Sequence, residues 1–237
     1  MHIQVINLNS LHYMKDVVND LSRQTHPFKL RLVDQGSTEE GTREYFESLI
    51  GKYEVIMNDS NVDVYQVWNS FYEQTDDDLL CFLNNDVRLP SNFVKDTVDI
   101  FEKEPTVRGV IHSTNHSSYQ RVTPLNYVLF SNSFGQGWDC TFRRSAYTLI
   151  PKELKLFYGD DFVFINLYRT GGRVAVALSS PIIHFVGASR KDPAHEAVEM
   201  IQGKRWMRQH GYERLRHRCK YTRGLPEFLE IKEWKSV

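Results

Sequence analysis

Leu79-Leu80-Cys81-Phe82-Leu83-Asn84-Asn85-Asp86 runs from five apolar residues straight into three polar ones. An apolar run this short, ending at a polar cluster, reads as a buried strand. Asn84, Asn85 and Asp86 then stand at its carboxyl end. The same figure recurs upstream. Leu30 to Val33 is a second strand, and it runs into Asp34-Gln35-Gly36-Ser37, a turn-forming cluster. Residues 3–8 form a first strand ending at Asn9-Ser10, an N-cap for the helix marked by Leu11, Met14, Val17, Val18 and Leu21. Pro27 closes that helix region. Thr38 to Ile50 reads as a second helix, Glu54 to Met57 as a third strand, and Val64 to Tyr72 as a third helix. This alternation predicts an α/β fold, with a mostly parallel central sheet and helices on both faces. In such sheets ligands bind beyond the carboxyl ends of the strands, so the two acidic turns share one rim.

The second half is less regular. Residues 109–137 are rich in Ser, Asn, Gly and His, and Ser131 to Gly137 reads either as a mobile stretch that closes over a ligand or as a plain surface loop. Trp138 follows it, placed either to stack on a ligand or to fill the core. Leu156 to Gly171 carries Tyr158-Gly159-Asp160-Asp161 and continues as a helix. Val174 to Leu178 reads as a strand, Ile182 to Val186 as a separate apolar run holding His184, and Pro193 to Gln209 as a helix. Residues 1–190 are expected to form the main domain. Residues 191–237 are expected to form a basic helical extension packed on it. Within that extension, Lys204 to Arg223 holds eight Lys/Arg against one acidic residue, Glu213.

Composition narrows the classes. With 237 residues, 41% of them hydrophobic, the chain can bury a sizeable core. A net charge of -1 does not by itself point to a polyanionic partner. The basic stretch 204–223 does, and its candidate partners are nucleic acid or an anionic membrane surface. A solvated helix face is the plain alternative. The three cysteines, Cys81, Cys140 and Cys219, form neither a disulfide framework nor a zinc motif. No apolar run reaches the ~18 residues of a membrane span, and the N-terminus has no signal-peptide pattern, so a cytoplasmic protein is expected.

Four features carry chemistry: Asp34 and Asp86 on the rim, the Asp160–Asp161 pair, and His184. A hard divalent cation holding a diphosphate wants one or two carboxylates and accepts an imidazole. A separate carboxylate must be available to take a proton from a hydroxyl. Each residue also has a plain reading. Asp34 and Asp86 would shape turns, Asp160–Asp161 would complement a helix N-terminus, and His184 would be a satisfied core histidine.

Their order along the chain resembles the inverting glycosyltransferases of family 2, which have the GT-A fold, over roughly residues 1 to 190. The matching segments are Asn7-Leu8-Asn9-Ser10, Gln24-Thr25-His26-Pro27, Val33-Asp34-Gln35-Gly36-Ser37-Thr38, Asn58 to Asn69, and Phe82-Leu83-Asn84-Asn85-Asp86-Val87. Tyr158-Gly159-Asp160-Asp161, followed by Arg169-Thr170-Gly171-Gly172, and Pro181 to Ser189 complete them. The resemblance implies a GT-A-type, Rossmann-like sandwich that moves a sugar from a nucleotide sugar, UDP-sugar favoured, to an acceptor hydroxyl. It implies that Asp34 binds the donor's base, that Asn9 and Ser10 line the nucleotide pocket with Asn84 and Asn85, and that Asp86 and His184 hold Mn²⁺ or Mg²⁺. Asp161, or else Asp160, would be the catalytic base. The acceptor expected is a saccharide or lipid-linked saccharide. Asn84 stands where the family's metal motif often has Asp, and Asp160 where it has Glu. Gln202-Gly203-Lys204-Arg205-Trp206 matches a motif of processive members that is paired there with membrane helices, and it is set aside on that ground.

Two other classes compete. A nucleotidyltransferase needs a Gly-rich phosphate loop near the first strand, and residues 7–15 hold no glycine. A non-catalytic module binding anions or nucleic acid through the basic stretch would need neither Asp86 nor Asp161. A transferase acting on modified nucleic acid is a further alternative.

Overall fold

The structure is a computed structural model, which describes residues 1–114, 127–130, 137–185 and 193–212. Three sequence expectations fall outside those residues: the segment 131–136, the boundary at residues 190 and 191, and the basic stretch beyond Tyr212.

Strands β1 (His2–Asn7), β2 (Lys29–Asp34), β3 (Glu54–Met57) and β4 (Leu79–Asn84) alternate with helices α1 (Leu11–Ser22), α2 (Thr42–Glu47) and α3 (Val64–Gln74). There follow β5 (Val87–Arg88), α4 (Phe93–Lys103), β6 (Val107–Thr114), β7 (Tyr127–Phe130), β8 (Asp139–Arg143), α5 (Gly159–Arg169), β9 (Arg173–His184) and α6 (Pro193–Gln209). They build one nine-stranded sheet in the order β3-β2-β1-β4-β8-β6-β9-β5, with β7 also paired to β9. β1 to β4 pair in parallel, as do β6 and β9. β8, β5 and β7 run against their neighbours. The sheet is thus mixed and mostly parallel, of GT-A type.

The pleat explains the two-sided core. Leu80 and Phe82 enter one buried cluster with Trp68 and Phe71 of α3 and Phe164 of α5. Cys81 and Leu83, one residue out of phase, enter a second cluster with Met14 and Val17 of α1 and Phe93 of α4. Phe82 is fully buried and stacks 4.4 Å from Trp68, so Phe82→Ala is expected to cost about 3–5 kcal/mol. α6 adds Met207, with Trp206 packed beside it, to the cluster that holds Phe82 and Phe164.

The sequence expectations differ from the structure at three places. The helix expected over 38–50 is confined to Thr42–Glu47, after Gly41 at φ 77°. The strand at 174–178 and the run around His184 are one strand, β9, of 12 residues. The α1 N-terminus is capped by a residue from afar. The Ser10 side chain donates to Leu8 O at 3.2 Å, while Leu11 N donates to the Glu39 carboxylate at 2.8 Å.

Candidate active site

The rim above β1, β2 and β4 is a closed polar network centred on Asn7. Its Nδ2 donates to Asp34 Oδ1 at 3.0 Å and to Ser37 Oγ at 3.1 Å, while its Oδ1 accepts from Asn85 Nδ2 at 2.9 Å. Asp34 also accepts from the Ser37 hydroxyl at 2.6 Å and from the Ser37 N–H at 2.9 Å. Asn9 sits at φ 50°, a conformation Asn tolerates better than most residues. Its Oδ1 accepts from the N–H groups of Thr38 and Glu39 at 2.7 and 3.0 Å. Gly36, at φ 70°, lets the backbone of Ser60 pass where a Cβ would lie 2.8 Å from its Cα. The turn-shaping reading of Asp34 therefore has a physical basis. Three of its roughly four acceptor positions are used, and one remains.

Beyond β4 the chain turns at Asp86. β5 pairs Val87 with His184 of β9, and Phe185 N donates to Asp86 O at 2.9 Å. The backbone ladder thus sets the separation of Asp86 and His184, with Nε2 to Oδ1 at 3.6 Å. That is beyond a hydrogen bond, and among the described residues the buried Asp86 Oδ1 has no hydrogen-bond partner. Trp138 stacks on the His184 ring at 4.9 Å. Asp20 of α1 anchors β5 by accepting from Arg88 Nε at 2.7 Å and Leu89 N at 3.0 Å. Burial would raise the Asp20 carboxyl, but the hydrogen bonds from Arg88 and Leu89 outweigh it and hold it below the usual range.

The opposite wall is the start of α5. Tyr158 adopts φ 72°, a costly conformation for an aromatic residue. Gly159 lies flat against Tyr65, where a Cβ would come within 2.5 Å of the ring. The Tyr65 hydroxyl donates to Asp160 Oδ1 at 3.1 Å. Burial first, then the Asp160 carboxylate, hold the Tyr65 phenol well above its usual range, so it stays a donor. Asp160 and Asp161 occupy the first helical turn, where the helix dipole favours negative charge.

These walls enclose a cavity of about 630 Å³. Six of the nine candidate residues line it: Asn9, Asn84, Asn85, Asp86, Asp160 and His184. Ser10, Asp34 and Asp161, all buried, are not on its wall. The sequence reading missed Gln35, Tyr65, Trp68, Lys155 and His195, which do line it. Tyr65 and Trp68 show in the sequence only as part of an apolar helical period. A second cavity of about 560 Å³ shares Asp63 and Lys155 with the first, and Gln202, Arg205 and Trp206 line it. The short motif set aside on sequence grounds therefore faces solvent-accessible space beside the site.

The profile of Glycosyl transferase family 2 matches residues 3–169. No curated protein sequence matches the chain. Among solved structures, the chain is similar to the mannosyltransferase PcManGT from Pyrobaculum calidifontis in complex with GDP-Man and Mn²⁺. That match has a TM-score of 0.67 at 14% identity, covering 96% of this chain and 66% of that one. TarS of S. aureus in complex with UDP-GlcNAc gives 0.63 at 16% identity, covering 88% and 72%. GalNAc-T7 with UDP, GalNAc and Mn²⁺ gives 0.63 at 14%, covering 77% of this chain and 43% of that chain.

Proposed function

The chain belongs to glycosyltransferase family 2, and from that premise we propose that its main cavity takes a nucleotide-sugar donor and passes the sugar, with inversion, to an acceptor hydroxyl. One observation carries the reading. A buried carboxylate oxygen with no hydrogen-bond partner, Asp86 Oδ1, stands 3.6 Å from an imidazole nitrogen, across a cavity whose other wall holds Asp160.

Asp86 and His184 fit a divalent cation. One carboxylate and one imidazole suit Mn²⁺, and the carboxylate alone suits Mg²⁺. Among the described residues no three His, Cys, Asp or Glu side chains converge, so phosphate oxygens and water would take the remaining positions. When bound, the cation offsets the charge that develops on the departing nucleoside diphosphate. The protein does the rest. Asn84 and Asn85 border the donor beside Asp86, with Asn85 fixed through Asn7. The resemblance places the base at Asp34, with a uridine donor favoured; Asp34 itself lies behind the cavity wall, next to Gln35, which is on it. Trp138 keeps the His184 ring oriented. One carboxylate of the Asp160–Asp161 pair takes the acceptor's proton as its oxygen attacks the anomeric carbon. Asp161 is the residue the resemblance indicates, and Asp160 is the one on the cavity wall. A single displacement inverts the configuration, and the acceptor is a saccharide or lipid-linked saccharide.

The test is thermal stabilisation and donor hydrolysis with UDP-, GDP- and dTDP-sugars, with and without Mn²⁺, on wild type and Asp86→Ala. Stabilisation by one nucleotide family that needs Mn²⁺ and disappears in the variant supports the assignment. No response to any donor sinks it.

A further inference from the structure

The second cavity is built differently from the first. Its walls come from Lys152 and Lys155, in the segment before α5, and from Gln202, Arg205, Trp206 and Gln209 of α6. Those four α6 positions are spaced i, i+3, i+4 and i+7, so one helical face supplies them. Several cations elsewhere in the chain are tied to carboxylates, as in Arg31–Glu54, Lys29–Asp77, Arg88–Asp20 and Lys95–Asp99. Among the described residues none of Lys152, Lys155 and Arg205 enters an ion pair, although Asp63 and Glu153 line the same cavity. Three unpaired cations in one concave wall form a site for an anion, because a charge-assisted contact there need not first break an internal one. The two amides and two carboxylates offer partners for hydroxyl groups.

Its position gives the site a role. Asp63 and Lys155 belong to both cavities, and Leu156 and Phe157, next in the chain, line the main one. Gly203 seats α6 against the start of α5, where a Cβ would lie 2.8 Å from the Tyr158 ring and 3.2 Å from Phe157 O. A molecule held in the groove therefore lies against the segment that leads into α5, a few residues before Asp160 and Asp161. We infer that the groove binds the phosphate of a phosphorylated saccharide or polyol acceptor, with Lys152, Lys155 and Arg205 as its anion contacts, and presents a neighbouring hydroxyl to the main cavity. This rests on the transferase reading and names its acceptor class.

The experiment measures binding of a fluorescent glycerol phosphate oligomer by anisotropy at low and moderate salt, using the full chain. The competitors are a neutral maltooligosaccharide of equal length and a single-stranded oligonucleotide. The variants are Lys152→Glu, Arg205→Glu and the pair, with Lys152→Gln and Arg205→Gln as milder versions should charge reversal impair folding. Nucleotide-sugar thermal shifts run alongside. Wild type should bind the oligomer in a salt-sensitive way, and the double variant should lose about tenfold or more while the donor shift is unchanged. Equal binding by the variants overturns the inference. So does no binding by wild type, competition by the neutral oligosaccharide as strong as by the phosphate oligomer, or tighter binding of the oligonucleotide lost through the same substitutions. A donor response that fails while oligomer binding still depends on Lys152 and Arg205 counts against the transferase reading and leaves the anion site standing.

Discussion

The rim over β1, β2 and β4 and the wall that holds Asp86 and Asp160 border the same cavity and are built on opposite terms. In the rim, Asn7, Asn9, Asp34, Ser37 and Asn85 are linked to one another or to backbone at 2.6–3.1 Å. On the wall, Asp86 Oδ1 and Trp138 Nε1 are buried without a hydrogen-bond partner, Tyr158 holds a left-handed backbone, and Gly159 is pressed on Tyr65. A satisfied network rigidifies, whereas unsatisfied polar atoms and backbone strain cost stability and persist where function needs them. On the proposed reading, the rim holds the donor in a fixed frame, and the metal and the proton transfer belong to the wall.

The contrast makes its largest demand on the acidic pair. Replacing Asp160 and Asp161 together with Asn should reduce transfer by about 10²–10⁴-fold and leave the metal-dependent donor shift in place. Retained turnover would break the contrast at once, and the single variants identify the base by the larger loss. Gly159→Ala comes next. The methyl group must displace the Tyr65 ring, so we expect about 1–3 kcal/mol of destabilisation by chemical denaturation, with a lower kcat as the Tyr65–Asp160 bond shifts. Asn7→Ala, in the rim, should cost about 1–3 kcal/mol by removing the acceptor of Asn85 and one of the three donors to Asp34. Its effect on activity should follow the loss of folded protein. Asp86→Asn should do the reverse. It should abolish the Mn²⁺ response yet raise the thermal midpoint of the metal-free protein, because a neutral amide replaces a buried carboxylate with an unsatisfied oxygen, a gain of about 1 kcal/mol. A fall in that midpoint would mean Asp86 is structural.

The smallest effect lies away from the cavity. Burial, against the raising influence of Asp77 and Glu54, lowers the pKa of His2 below 6.5. The folded state thus binds this proton less readily than the unfolded chain. The stabilising contribution is present above pH 6.5 and is lost as pH falls through the lower, folded pKa. His2→Gln should flatten that part of the stability profile, measured by urea titration across it.

The same contrast explains what was legible in the sequence. β1, β2 and β4 announce themselves because each apolar run stops at a polar cluster that the sheet needs at its rim, and the parallel half of the fold follows. β8 is opaque. Asp-Cys-Thr-Phe-Arg carries no clean alternation, since Asp139 is fully buried and held by His112 N and Nδ1 at 2.8 and 2.6 Å. The strand is fixed by its antiparallel neighbours, β4 and β6, rather than by its own pattern. The capping of α1 by Glu39 and the union of 174–178 with the His184 run are likewise tertiary facts. Lys155 and His195 are single polar residues with no motif around them. Asp86 and Asp160 were found from their order along the chain, which says nothing about which acid of a pair faces open space.

The pairing of β5 with β9 has a consequence for exchange with solvent. Asp86 and His184 are far apart in the chain, yet the Val87–His184 register and the Phe185 N to Asp86 O bond hold their backbones side by side. A cation gripping both side chains would therefore staple a two-residue ladder, and the energy of binding would be stored in closed amides as well as in coordination bonds. Mn²⁺ should slow deuterium uptake at Phe185 and Leu89 more than at any amide of β1 or β2, and fraying that ladder should loosen the ion without touching a ligand.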